Sequence, residues 1–234
     1  MTLAPHEFWQ ALFAPDDLPG DDKAGYHGHY PAALPDGRCI ALPIRVLPGD
    51  GTQAVASLIL NQASFVVADA LADALAARLA RFAPEVIVGV PTLGLGLAEA
   101  VARRLGHGRM VALGTSAKFW YDNALSEPLR SITTPDQARR IYVDPRMVPL
   151  LAGRRVAVVD DVASTGSTLR AVLAVLARAG VVPVAVGFAM AQGHGWADDL
   201  PPGMGFAASI ATPRLSLGAD GRWWPQTPPV QTRD

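Results

Sequence analysis

Cysteine is almost absent. Cys39 is the single one in 234 residues, so no internal disulfide can form, and the chain reads as a protein of a reducing compartment, the cytoplasm. An excess of one charge is also missing. The formal net charge is −1, which argues against nucleic acid or an anionic membrane surface as a partner. Long apolar runs are lacking as well: the longest stretch, Ser57 to Ala80, is broken by Asn61, Asp69 and Asp73, which argues against a membrane span. The opening residues, MTLAPHEFWQ, have neither a basic region nor an apolar segment, so no secretory signal is expected. There is no repeat and no low-complexity tract. What remains is a chain that is 50% hydrophobic, enough for one sizeable core and a single domain with embellishments.

The stretch that organises it is Arg155–Thr168, RVAVVDDVASTGST. Val156 to Val159 is short and β-branched, as a buried parallel strand requires. Asp160 and Asp161 stand at its carboxyl end. A turn of small residues follows, Ala163-Ser164-Thr165-Gly166-Ser167-Thr168, and then an amphipathic run from Leu169 to Ala179. Such a turn aims backbone N–H groups and hydroxyls at one spot over a helix N-terminus, which suits a phosphate dianion. The two carboxylates repel phosphate; they suit sugar hydroxyls, or a metal held by those hydroxyls. The unit therefore reads as a sugar-phosphate site. The alternative is an ordinary strand-to-helix turn with a capping Ser or Thr, which leaves two adjacent acids at a buried strand end unexplained.

Elsewhere the pattern is that of an α/β protein. Met1 to Pro35 shows little periodicity. Within it, Tyr26-His27-Gly28-His29-Tyr30 offers two local metal ligands or, alternatively, a loop packed over the site. Arg38–Val46 and Ala54–Leu60 read as a hairpin, with Leu47–Gly51 as its turn. Phe65–Phe82 is a helix with Val67, Leu71, Leu75, Leu79 and Phe82 on one face and Ser64 as N-cap. Val86–Val90 is a buried strand. Pro91-Thr92-Leu93-Gly94-Leu95-Gly96 then turns into a second helix, its glycines permitting close backbone approach to an anion or simply tight packing. Met110–Leu113 is a strand. Gly114–Arg140 has no sustained period and reads as a long functional loop, carrying the cluster Phe119-Trp120-Tyr121. Val184–Met190 and Phe206–Ala211 are further strands, and the tail from Gln226 reads as disordered.

The run Asp160-Asp161-Val162-Ala163-Ser164-Thr165-Gly166-Ser167-Thr168 resembles the phosphoribosyl pyrophosphate (PRPP) motif of the type I phosphoribosyltransferases. That resemblance covers Val86–Met190 well and the ends loosely. It implies a parallel sheet flanked by helices, with a small hood built from about 1–63 and 205–228 around a core of about 64–204. It also implies transfer of ribose 5-phosphate from PRPP to a nucleobase, with release of pyrophosphate. By the same resemblance Asp160 and Asp161 hold the ribose hydroxyls, directly or through Mg²⁺. Ala163, Ser164, Thr165, Gly166, Ser167 and Thr168 hold the 5-phosphate. Thr92, Leu93 and Gly94 face pyrophosphate with Lys118, and Arg130 is either a second such cation or a solvated charge. The loop Gly114–Arg140 closes over the site, and Ile141–Val143 is similar to the short strand that follows this loop in adenine phosphoribosyltransferases. Phe119–Tyr121 packs on the hood, on a second subunit or over the base. The loop after Met190 borders the base, with Gln192 able to donate and accept and Trp196 stacking on the base or seating the loop. A homodimer is implied. Ser164 stands where hypoxanthine-guanine enzymes carry an aspartate and adenine enzymes a small apolar residue. An adenine-like purine is therefore the expected acceptor, with Asp122 or Glu127 as candidate loop acids. The alternative is a PRPP sensor that performs no transfer.

Overall fold

The computed structural model describes residues 3–18, 24–129 and 139–226; Arg130 and the tail beyond Gln226 lie outside them. The chain opens with three strands, β1 (His29–Ala33), β2 (Cys39–Val46) and β3 (Gln53–Ala56), each antiparallel to the next. The β2–β3 hairpin was legible in the sequence; β1 was not, because Pro31 interrupts its alternation. Helix α1 (Phe65–Leu79) follows, and Ser64 Oγ accepts the Val67 amide at 3.3 Å. This N-cap satisfies one of the donors that a helix start leaves open.

Strand β4 (Val86–Gly89), helix α2 (Gly94–Arg104) and strand β5 (Val111–Ala112) come next. The stretch after β5, expected as a loop to Arg140 followed by a short strand over Ile141–Val143, contains β6 (Ser126–Leu129), which pairs antiparallel with that strand, here β7 (Arg139–Tyr142). Period-2 alternation is not visible there because Pro128 and two arginines occupy positions of the pairing. The chain continues through β8 (Val156–Ala163), α3 (Ser167–Arg178), β9 (Ala185–Gln192) and β10 (Gly205–Thr212), and ends with β11 (Arg214–Leu217) and β12 (Trp223–Pro225).

Two main sheets result. The central one is all parallel, in the order β10-β9-β8-β4-β5. The other is antiparallel, β1-β2-β3-β11-β12, and forms the hood. One expectation is corrected here: residues 205–212 belong to the central sheet and not to the hood, to which the chain returns only at Arg214. Phe206–Ile210 is buried on both faces, as expected of a strand in a parallel sheet covered on both sides.

Alternation along the central strands divides the core. Ile87, Ala157, Val159, Ala185, Ala189 and Ala207 pack toward α1 and α2, and the inner side chains of the hood, Ile40 and Leu42 among them, join the same cluster. Val86, Val88, Val156, Val158, Val186, Phe188 and Phe206 pack toward α3. Among the described residues no helix is long and apolar enough to cross a membrane. Leu75 lies at the centre of the first cluster with no exposed surface. Leu75→Ala should lower unfolding stability by about 3 kcal/mol, read as a fall in urea midpoint at unchanged slope.

Candidate active site

The central sheet reverses its winding between β4 and β8: the chain leaves β4 toward β5 on one side and returns to β8 on the other. Ligands of open α/β sheets lie at the carboxyl ends of the strands flanking such a switch. Two turns stand there, 91–96 after β4 and 163–167 after β8.

Asp160 and Asp161 end the apolar part of β8. Asp160 is 9% exposed, and Asp161 is half-buried. Burial, and next the neighbouring Asp161 carboxylate, hold the Asp160 carboxyl well above the usual carboxylate range. The Asp161 amide, donating to Asp160 Oδ1 at 2.8 Å, offsets part of that. A cation or a set of hydroxyl donors placed over the pair relieves the same cost. Among the described residues no group of three or more His, Cys, Asp or Glu side chains is arranged to hold a metal. The donor set, two adjacent carboxylates, fits a Mg²⁺ that takes most of its ligands from substrate oxygens and water. His27 is exposed and His29 is buried at the start of β1, so that pair is divided between solvent and core.

The turn after β8 is shaped for an anion. Asp160, Phe188 and residues 162–169 line a cavity of about 160 Å³. Gly166 has φ +76° and is the N-cap of α3, with no side chain capping the helix. The first amides of α3 are thus left for a ligand. A side chain at position 166 would also run into the Asp199 carboxylate and the Trp196 backbone. Asp199 is ion-paired with Arg170 of α3, so its charge is balanced next to the cavity. Nothing local in the sequence signals this pair.

The turn after β4 meets the acids directly. A Cβ on Gly94 would lie 2.8 Å from Asp160 Cα and 2.8 Å from its Oδ1. Only glycine lets the start of α2 press against the end of β8. The Pro91–Thr92 peptide is cis. Thr92 is exposed and Leu93 half-buried. On their far side they border an apolar groove of about 300 Å³ between α1 and α2. Asp160, Asp161, the 163–168 turn and Gly94 are therefore brought together.

Other expected site residues fall differently. Lys118 is exposed and forms no side-chain hydrogen bond or ion pair among the described residues. Trp196, expected beside a base or under the loop, takes the second place. It has no exposed surface and sits edge-on between Phe188 and Phe206, 5.2 and 5.0 Å away, so it does not stack on a ligand. Gln192 is 5% exposed, and its amide is engaged at both ends, with Ala56 of β3 and with Ser164. The aromatic cluster packs away from the hood. Trp120 lies under the Arg146 guanidinium at 4.3 Å and Tyr121 lies against Tyr142, while Phe119 is 98% exposed. Arg146 also pairs with Asp144 and lowers that carboxyl to about 2. Asp122 caps the short helical turn 123–125, and Glu127 pairs with Arg178 of α3; both candidate loop acids thus have structural partners.

A family model of the phosphoribosyl transferase domain matches residues 57–202. The chain belongs to the phosphoribosyltransferase family. It is 31% identical over 148 residues to an adenine phosphoribosyltransferase of Roseiflexus sp. (strain RS-1), covering 63% of this chain and 80% of that protein. In fold, this phosphoribosyltransferase is similar to the adenine phosphoribosyltransferase of Giardia lamblia solved with 9-deazaadenine. The TM-score there is 0.54, with 21% identity over 71% of this chain and 92% of that one. It is likewise similar to that of Thermoanaerobacter pseudethanolicus, with TM-score 0.55 and 18% identity over 71% and 92%. The type I fold and the enzyme class expected from the PRPP-like run are both met.

Two outcomes follow from this geometry. Gly94→Ala should destabilise by about 1–3 kcal/mol, because its Cβ strikes backbone. Gly96→Ala, with nothing within 4 Å of a Cβ, should be neutral or stabilising by up to about 1 kcal/mol; urea midpoints of the two variants check the contrast. Asp160 keeps its proton to higher pH when folded than when unfolded. It therefore opposes folding increasingly as pH rises past about 4, the unfolded value. Asp160→Asn should raise Tm above wild type at pH 7 in metal-free buffer, by about 2–4 °C per kcal/mol relieved. The two curves should converge near pH 3, and a lower Tm for the variant at pH 7 contradicts the assignment.

Proposed function

We propose that this enzyme transfers the 5-phosphoribosyl group of PRPP to a ring nitrogen of a purine, adenine being the first candidate, and releases pyrophosphate. The observation that carries this reading is the closure of Gly94 on Asp160. It sets an anion-compatible turn, a pair of acids and a phosphate-sized cavity side by side at one switch point. PRPP has three matching parts: a 5-phosphate for the cavity and the α3 amides, ribose hydroxyls for Asp160 and Asp161, and pyrophosphate for Thr92, Leu93 and Gly94. Lys118, unpaired among the described residues, is the available cation for pyrophosphate.

In the transfer, the bond from C1′ to the pyrophosphate oxygen breaks and a bond from C1′ to the base nitrogen forms. The leaving pyrophosphate takes the electron pair of the broken bond, and the N–H proton that the base gives up passes to that pyrophosphate. Positive charge develops on the ribose ring between these events. The carboxylates of Asp160 and Asp161 lie where that charge is stabilised. Bound Mg²⁺ would supply charge neutralisation of pyrophosphate, held in this chain through Asp160 and Asp161 and otherwise by PRPP and water.

Adenine as acceptor is supported by the Roseiflexus relative's activity. Homodimer formation is supported by the exposed Phe65, Val66 and Phe119. A cytoplasmic setting is supported by the lone Cys39, whose burial pushes its thiol up and leaves it unreactive.

The test is pyrophosphate release from PRPP and Mg²⁺ with adenine, guanine, hypoxanthine, xanthine, uracil and orotate. Release is expected with adenine above the other bases. Silence across the panel with PRPP binding intact by calorimetry would replace the transferase reading with a PRPP sensor.

A further inference from the structure

Ser164 differs from the other hydroxyls of the phosphate turn, and the difference is set in the hood, at Ala56, 136 residues before the Gln192 that links the two. Gln192 Nε2 stands 2.8 Å from the carbonyl oxygen of Ala56 in β3. A carbonyl only accepts, so the amide nitrogen must face it. Gln192 Oε1 is thereby turned to Ser164 Oγ, 2.9 Å away. That oxygen carries no proton, so the Ser164 hydroxyl donates. Rotating the Gln192 amide by half a turn would set two acceptors against each other in a place that is 5% exposed, a buried mismatch that costs far more than the hydrogen bond contributes. The chain of donors therefore runs one way, from Ser164 to Gln192 to Ala56.

A serine hydroxyl has one proton, and here it is spent inward. Ser164 nevertheless lines the cavity with Asp160 and the phosphate turn, and its hydroxyl offers that cavity lone pairs only. A phosphate dianion at neutral pH needs donors, so the Ser164 hydroxyl does not serve it. Thr165 Oγ1 and Ser167 Oγ, 3.3 Å apart with either free to donate, and the uncapped amides of α3 remain for that task.

We propose that Ser164 is a specificity residue, an acceptor-only hydroxyl that takes a hydrogen bond from an N–H of the acceptor base or an O–H of the ribose. Gln192 is its positioning residue, carrying the register of the hood strand β3 into the site. This rests on the phosphoribosyl-transfer reading for the identity of the ligand parts, but not for the direction of the relay.

Calorimetry with three separate probes, inorganic phosphate, ribose 5-phosphate and adenine, tests it without turnover. Ser164→Ala, a small change at a half-buried position, should leave phosphate affinity within about twofold. It should weaken by about five- to tenfold either adenine, if the donor is the base, or ribose 5-phosphate, if the donor is the sugar. Gln192→Met should reproduce the same selective loss, and the double variant should be no worse than Ser164→Ala alone, because Gln192 acts through Ser164. A loss of phosphate affinity equal to that of ribose 5-phosphate, no change with any probe, or additive losses in the double variant overturns the proposal. Failure of the transferase reading shows separately, as absent pyrophosphate release from wild-type protein whose probe affinities still follow the pattern above.

Discussion

Everything at the carboxyl edge of the central sheet depends on one desolvated carboxyl. Asp160 is tucked under the first turn of α2, where glycine alone leaves room for it. That contact brings together the turns of two strand-turn-helix units whose strands are already paired, and the protein accepts an unfavourable buried acid to make it. Unfavourable groups are kept where chemistry needs them. A carboxyl already stripped of water and pressed against a second one attracts hydroxyl donors and cations more strongly than an exposed acid does.

Most of this was legible because it is local. The α1 periodicity, the Ser64 cap, the β-branched strands and the order of acids, small residues and helix all express themselves within a dozen positions. Side-chain alternation in β8 and packing of α3 follow from that same window. What escaped was long-range or two-sided. The strand at Gly205–Thr212 has apolar residues on both faces, and a short run of that kind does not reveal which sheet it joins. Trp196 looked equally suited to stacking and to seating its loop; the choice was made by Phe188 and Phe206, which come from two different strands. Gln192 looked like a base reader because its amide can both donate and accept. Its partners, Ala56 and Ser164, are remote in sequence, and each end of the amide is engaged by one of them. Pro128 hid a hairpin whose pairing is otherwise regular.

The hood, by the same reasoning, is more than a cover. Its inner side chains share a core with α1 and with one face of the central sheet, and its strand β3 is hydrogen-bonded into the phosphate turn through a single buried amide. The Ser164 hydroxyl thereby inherits its orientation from an element that, in chain order, precedes Gly94, Asp160 and Asp161.

The β6–β7 hairpin is anchored at the opposite end of α3 from the phosphate cavity. β6 packs on α3, and Glu127 is ion-paired with Arg178 in the last turn of that helix. A helix of 12 residues spans about 18 Å, so α3 holds the cavity-lining turn at one tip and the ion pair that anchors the hairpin at the other, a fixed distance apart.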